Sequence, residues 1–125
     1  MILDTCSLLW LAHNCERLSI PVVEEINNCP AVYISSVSGF EIGYKFKSGE
    51  LKLPVLPSEW FAHIIDHHNL LIIDLNLEIC IAAAELPLIH KDTCDRFIIA
   101  TALLKNLPIV TADKRFAEYG VKTLI

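Results

Sequence analysis

The sequence predicts a three-layer α/β/α sandwich around a parallel sheet of about five strands. Three observations carry that prediction. Short apolar runs of the buried-strand kind recur at Met1–Leu3, Ala31–Ile34, Leu70–Ile73, Leu107–Thr111 and Val121–Ile125. Helical stretches separate them, and strands alternating with helices build a parallel sheet covered on both faces. No repeat, linker or low-complexity tract breaks the pattern, so the 125 residues are expected to form one domain spanning 1–125.

The elements follow in order. After Met1–Leu3 a helix is expected from about Ser7 to Ala12. Pro21 opens a second helical stretch through Val22, Val23 and Ile26, which Asn27–Pro30 ends. Ser35, Ser36 and Ser38 are candidate N-caps for a helix running to Lys47 and stopping near Gly49. Leu51–Pro57 is extended, interrupted by two prolines. Ser58–Trp60 starts a helix that ends near His68. Leu75–Leu86 is helical with Pro87 beyond it, and 88–91 is loop. A helix from about Asp92 or Thr93 carries the apolar set Ile98, Ile99, Ala102 and Leu103. Pro108 suits a strand start. A short helix over Asp113–Tyr119 closes on Gly120, an expected C′ residue.

Composition narrows the functional classes. Apolar residues make up 54% of the chain, above the usual share, which suggests surface covered by a partner or a second copy. No run approaches the roughly 18 apolar residues of a membrane span. The amino terminus enters a strand without a basic segment, so no signal peptide is expected. The five cysteines are odd in number and contain no Cys-x-x-Cys, so they are expected as reduced thiols filling the core of a cytoplasmic protein. A protein that holds nucleic acid by phosphate attraction alone should be basic, whereas the net charge here is −5, which equally suits a protein that never touches nucleic acid. Any nucleic-acid chemistry must then rest on bound metal and a few local cations.

Four acids carry the chemical signal: Asp4, Glu41, Asp95 and Asp113. Each sits where a strand gives way to a helix, or on a helix that follows one. In a parallel sheet the carboxyl ends of the strands share one edge, where ligands bind. Carboxylates gathered there repel one another and take up protons unless a cation sits among them. Oxygen donors suit Mg²⁺ or Mn²⁺. Taken singly, each acid also has a plain structural reading. Asp4 and Asp113 can cap helices, Asp95 suits the dipole of a first turn, and Glu41 can pair with Lys45 at i, i+4. Asp92 reads mainly as the cap before Asp95. Ser7 and Thr111 can donate to the carboxylates or to metal-bound water. Arg96 and Lys45 are candidates to meet phosphate oxygens. His63 and His67 have ligand spacing, but with His68 they read as a solvated helix face.

Four segments resemble the PIN-domain family, and within it the VapC-like toxins of bacterial toxin–antitoxin pairs. Leu3-Asp4-Thr5-Cys6-Ser7-Leu8-Leu9-Trp10 resembles the family's opening. Ser36-Val37-Ser38-Gly39-Phe40-Glu41-Ile42-Gly43-Tyr44-Lys45 resembles its middle motif. Leu86-Pro87-Leu88 through His90-Lys91-Asp92 to Asp95-Arg96, Ile99-Ala100 and Ala102 resembles its third. Thr111-Ala112-Asp113-Lys114-Arg115-Phe116, then Tyr119-Gly120-Val121, resembles its close. The match runs along nearly the whole chain. Cys6 stands where histidine is common, and Thr93-Cys94 replace a frequent Pro-Phe pair; neither change touches a carboxylate.

The resemblance implies a Rossmann-like strand order and a Mg²⁺- or Mn²⁺-dependent endoribonuclease. Asp4 and Asp95 would hold the principal metal, and Glu41 and Asp113 would complete the acidic set. His90 would approach the substrate. The resemblance also implies a homodimer and an antitoxin partner lying in a groove, for which Tyr44, Leu51, Leu53, Val55 and Trp60 are candidates; Leu51 and Leu53 can equally close over the core. Two other classes remain at this point. A phosphatase or receiver on a similar sheet lacks its acids here, since Asp4-Thr5-Cys6 has no second aspartate and there is no room for paired acids before Asp4. A binding module without chemistry would not need the intact acidic set.

Overall fold

The computed structural model describes residues 1–125 and contains six α-helices and five strands. Strand β1 (Ile2–Leu3) leads into α1 (Thr5–His13), then α2 (Ile20–Asn28), β2 (Val32–Ser35) and α3 (Ser36–Ser48). An irregular segment leads to α4 (Pro57–His68), β3 (Leu70–Ile73), α5 (Leu77–Glu85), α6 (Thr93–Lys105), β4 (Ile109–Val110) and β5 (Thr123–Leu124). The sheet order is β3-β2-β1-β4-β5, and every pairing is parallel. Ile2 lies in register with Tyr33 on one side and Ile109 on the other. The chain order therefore reverses between β1 and β4, which opens a crevice at their carboxyl ends.

Alternation along the strands builds the two cores. Leu3, Ile34, Leu70 and Val110 face α1, α2 and α4, where they meet Leu8, Leu11, Val22, Ile26, Trp60 and Ile64. Ile2, Ile73 and Ile109 face the other way and meet Ile79 and Ala83 of α5 and Ile98, Ile99 and Ala102 of α6. A step of one residue flips a side chain to the opposite face, so two-residue strands suffice to join both layers.

Caps fix where the helices begin. Asp4, Ser19, Asn76 and Asp92 each accept a backbone N–H of the following helix, a device worth about 0.5–2 kcal/mol apiece. The Asp4 cap starts α1 at Thr5, two residues before the expected Ser7. The Asn76 cap delays α5 to Leu77, two residues past the expected Leu75. Gly49 and Gly120, at φ +84° and +81°, end α3 and the last helical turn in the left-handed conformation that glycine adopts at least cost. That turn, Lys114–Tyr119, is a 3₁₀ helix. A further 3₁₀ turn at Cys15–Arg17 was not expected from sequence.

Three expectations need correction or division. The cysteines fill the core only in part: Cys6 and Cys15 are exposed, half-buried Cys29 and Cys94 pack against the two cores, Cys80 is half-buried, and all five are free thiols. Leu51 and Leu53 pack on the first core, whereas Val55 and Trp60 line a cavity of about 570 Å³ with Leu11, Pro54 and Ile64. Tyr44 does not reach that cavity; it lies exposed beside Phe40 on α3, ring centroids 5.9 Å apart. No helix is long and apolar enough to cross a membrane.

Candidate metal centre

Asp4 leaves the end of β1 and is held from three sides. Its backbone N–H donates to the Val110 carbonyl (3.1 Å), which ties it to β4. Its Oδ1 accepts the Ser7 N–H at 2.8 Å. Burial pushes its carboxyl above the usual range, against hydrogen bonds from Thr111 and Ser7, and repulsion from Glu41 adds to the rise. Ser7 acts through its backbone, because its single hydroxyl proton is given to the Val110 carbonyl at 2.9 Å. Thr111 is buried at the end of β4, and its Oγ1 also accepts the Asp113 N–H. Both residues lie beside the acids, but the Ser7 hydroxyl, expected to donate to a carboxylate, donates to a backbone carbonyl instead.

Glu41 projects from α3, whose start is pinned to α1 by a buried hydrogen bond between Thr5 and Ser38 (2.9 Å). Its Oε2 pairs with Lys45 Nζ at 3.0 Å. The surface-pair reading is therefore half correct: the ion pair exists, but the Glu41 side chain is only 11% exposed. Its second oxygen, Oε1, is buried with no hydrogen-bond partner. A buried carboxylate oxygen left unpaired is costly, and this one lies among other acids.

Asp95 sits in the first turn of α6, behind the Asp92 cap, whose Oδ1 accepts the Cys94 and Asp95 N–H groups. Burial first, then repulsion from Asp92, Glu41, Asp4 and Asp113, raises the Asp95 carboxyl to about 7. Those four sources show that the acids, far apart in sequence, gather at one edge. The rim carries two thiols, Cys6 and Cys94. Burial and the same acids raise both, Cys94 to about 11.

Asp113 is compensated where Asp95 is not. Its Oδ2 accepts from Arg115 Nη2 (2.7 Å), and its Oδ1 accepts the Arg115 N–H and Nε–H (3.0 Å each). Arg115 holds its carboxyl down to about 2.

His90 is fully buried in the loop before α6, and its Nε2 stands 3.0 Å from both Asp95 Oδ2 and Asp113 Oδ2. Only the contact to Asp113 has hydrogen-bond geometry. Nδ1 of the ring accepts the Asp92 N–H (3.1 Å), so the ring proton belongs on Nε2. The ligating atoms of His90, Asp95 and Asp113 lie within 4.8 Å of one another. With its proton on Nε2, however, His90 acts as a donor that spaces two carboxylates rather than as a ligand. Phe116 packs edge-on against the ring, and Tyr119 Oη accepts the His90 N–H at 2.7 Å. The family motif contains His90, but nothing in its spacing places it between two acids.

Arg96 is not available to a phosphate. It is buried, and its Nη1 and Nη2 donate to the carbonyls of Ala83, Ala84, Leu86, Pro87 and His90. These are orphan carbonyls at the end of α5 and in the loop beyond it, where a fixed fork of donors is worth more than a free charge. The cations at the rim are instead Lys45, paired with Glu41, and Arg115, which sequence reasoning passed over. Its signal was the i, i+2 spacing from Asp113 across a tight turn. His63 and His67 lie exposed on α4 with stacked rings, but they are more than a solvated face, because with His13 and His68 they line the cavity beside Trp60.

The donors fit a hard divalent cation. They are carboxylate oxygens, one is orphaned, and one carboxyl has risen to about 7 through burial and then through repulsion from its acidic neighbours. The solved structure of VapBC2 from Rickettsia felis, bound to a DNA fragment from its promoter, superposes at a TM-score of 0.73 with 17% identity, covering 98% of this chain and 95% of that one. DNA-bound VapBC from Salmonella typhimurium superposes at 0.70 with 21% identity, over 98% and 94% of the two chains. In sequence the chain is similar to Ribonuclease VapC22 of Mycobacterium tuberculosis (strain ATCC 25618 / H37Rv), 22% identical over 120 residues, 95% of this chain and 91% of that protein. The profile of the PIN domain matches residues 1–122. An all-parallel sheet with this strand order, these acids at its switch point and a profile match over nearly every residue make the chain a member of the PIN domain family.

Proposed function

We propose that this protein is a Mg²⁺- or Mn²⁺-dependent endoribonuclease and the toxin of a toxin–antitoxin pair. The observation that carries the proposal is the under-compensated set Asp4, Glu41 and Asp95 at the switch point of a PIN fold. Asp4 and Asp95 would hold the cation directly, and Glu41 and Asp113 would complete the set through water or a second ion. Bound there, the cation supplies charge against the scissile phosphate and acidifies an attacking water. Thr111 and the Ser7 N–H fix the Asp4 carboxylate, and His90 fixes the distance between Asp113 and Asp95. Lys45 keeps one Glu41 oxygen and leaves the other free. The name of the mycobacterial relative supports RNA as substrate, and the free thiols fit a cytoplasmic setting. Incubation of the purified protein with single-stranded RNA, with Mn²⁺ and with EDTA, tests this. Cleavage that persists in EDTA, or an absence of cleavage in both, rejects it.

The partners belong to the same proposal. The complexes named VapBC support an antitoxin, and the cavity where Leu11, Val55, Trp60 and Ile64 meet Glu59 and four histidines offers a seat of mixed polarity for one. Exposed Phe40, Tyr44, Leu77 and Ile81 favour a homodimer. Light scattering on the protein alone, and with the product of an adjacent gene, tests both. A stable monomer indifferent to that product removes the toxin role and leaves the nuclease standing.

A further inference from the structure

Arg115 stands out because, of the two exposed basic side chains that grip a carboxylate of the acidic set, it alone does so with two side-chain nitrogens. Its side chain is 54% exposed, yet backbone N–H, Nε and Nη2 all point to the Asp113 carboxylate. The backbone contact would persist in any residue at this position. The two guanidinium contacts form a fork, the geometry that suits a phosphate as well as a carboxylate. An exposed pair of this kind is held weakly, so the fork can leave. The other nearby cations are committed: Lys45 to Glu41, and Arg96 to buried carbonyls. Beyond Arg115, Lys45 and the buried His90, no basic side chain pairs with an acid of this set.

Building on the nuclease reading, we infer that Arg115 is an exchangeable placeholder. In the metal-free protein its guanidinium supplies the counter-charge on Asp113. When a divalent cation occupies the carboxylates, Arg115 releases Asp113 and turns to a phosphate of the RNA backbone. Two effects of opposite sign follow. Removing the guanidinium frees Asp113 for the cation and so strengthens metal binding. It also removes a phosphate contact and so weakens RNA binding. A merely structural ion pair would give neither pattern.

The test compares full-length wild type with Arg115→Gln and Arg115→Lys. Mn²⁺ binding is titrated without RNA by electron paramagnetic resonance. KM for a short single-stranded oligoribonucleotide is measured at saturating Mn²⁺ over a range of salt. Arg115→Gln is expected to bind Mn²⁺ roughly two- to fivefold more tightly, the size of an exposed pair. Its KM should rise several-fold, and the slope of log(1/KM) against log salt should shrink by about 0.7, one phosphate contact on a single strand. Arg115→Lys restores the charge without the fork, so its Mn²⁺ affinity should return towards wild type with KM only partly recovered. It also serves if Arg115→Gln folds poorly. Unchanged or weaker Mn²⁺ binding in Arg115→Gln overturns the placeholder role, and an unchanged KM and salt slope overturns the phosphate role. If wild type binds no Mn²⁺ and cuts no RNA, the nuclease reading falls, and the role of Arg115 falls with it.

Discussion

The carboxylate of Asp4 accepts the backbone N–H of Ser7 at 2.8 Å, so the same group that caps α1 also forms part of the acidic cluster. The cap takes one lone pair of Oδ1, and the carboxylate keeps further lone pairs for a ligand beside the Thr111 hydrogen bond. Asparagine caps a helix as well as aspartate does, so the two roles can be separated. Asp4→Asn should keep a thermal midpoint within a few degrees of wild type, while Asp4→Ala loses about 1 kcal/mol of cap energy. Both should lose RNA cleavage by more than roughly 100-fold, beyond what loss of an outer partner costs a metal site. Melting curves and cleavage rates on the same preparations check this. Normal turnover in Asp4→Asn would reduce Asp4 to a cap.

Asp95 gives a pH signature to the metal-free protein. Its folded carboxyl titrates near 7, above the ordinary 3.8, so the folded state binds the proton more tightly than the unfolded one. The stability tied to that proton is fully present below about pH 4 and is lost as pH rises through 7. In EDTA, Asp95→Asn should therefore melt several degrees above wild type at pH 8, and the difference should vanish near pH 4. Saturating Mn²⁺ should reverse the order at pH 8. Thermal scans across pH, with and without metal, measure it. A pH-independent difference would point to packing rather than charge.

Asp113 should behave in the opposite sense. Arg115 holds it to about 2, below the ordinary 3.8, so its contribution is present above about pH 4 and lost as pH falls towards 2. Asp113→Asn in EDTA should melt below wild type at pH 7, where Asp95→Asn melts above it. Two acids of one cluster shifting stability in opposite directions is the readout. If both raised it, Arg115 would not be neutralising Asp113 in solution.

Arg96→Met should destabilise the protein by several kcal/mol, since it strands buried carbonyls at the end of α5. Lysine cannot reproduce the fork, so Arg96→Lys should recover only part of the loss. Cleavage per folded molecule should stay near wild type in Arg96→Lys at low temperature. A large rise in KM at unchanged stability would return Arg96 to the substrate.

The acids were legible in sequence because sheet topology fixes them: a residue just past a strand can only lie at its carboxyl end, as with Asp4 and Asp113. Helix boundaries were legible where a cap or glycine marks them, as at Asp92, Gly49 and Gly120. The roles of the arginines were not. Arg96 and Arg115 differ in sequence context by little, and what separates them is the irregular loop over 86–92, whose carbonyls need donors. His90 was visible only as a loop residue, because its position between Asp95 and Asp113 depends on the path of that loop. The 3₁₀ turn at Cys15–Arg17 leaves no apolar period to read.

The gathering of carboxylates at one sheet edge also bears on how a polyanion arrives. Without metal, that edge on a chain of net charge −5 repels RNA before any contact forms. Screening such repulsion speeds encounter, so added salt should quicken RNA association with the metal-free protein, the reverse of the usual behaviour of nucleic-acid-binding proteins. Loading the site removes the barrier at its source. On the proposed function the cation would then govern the rate of approach as well as the chemistry, and stopped-flow association with and without Mn²⁺ would show the salt dependence change sign.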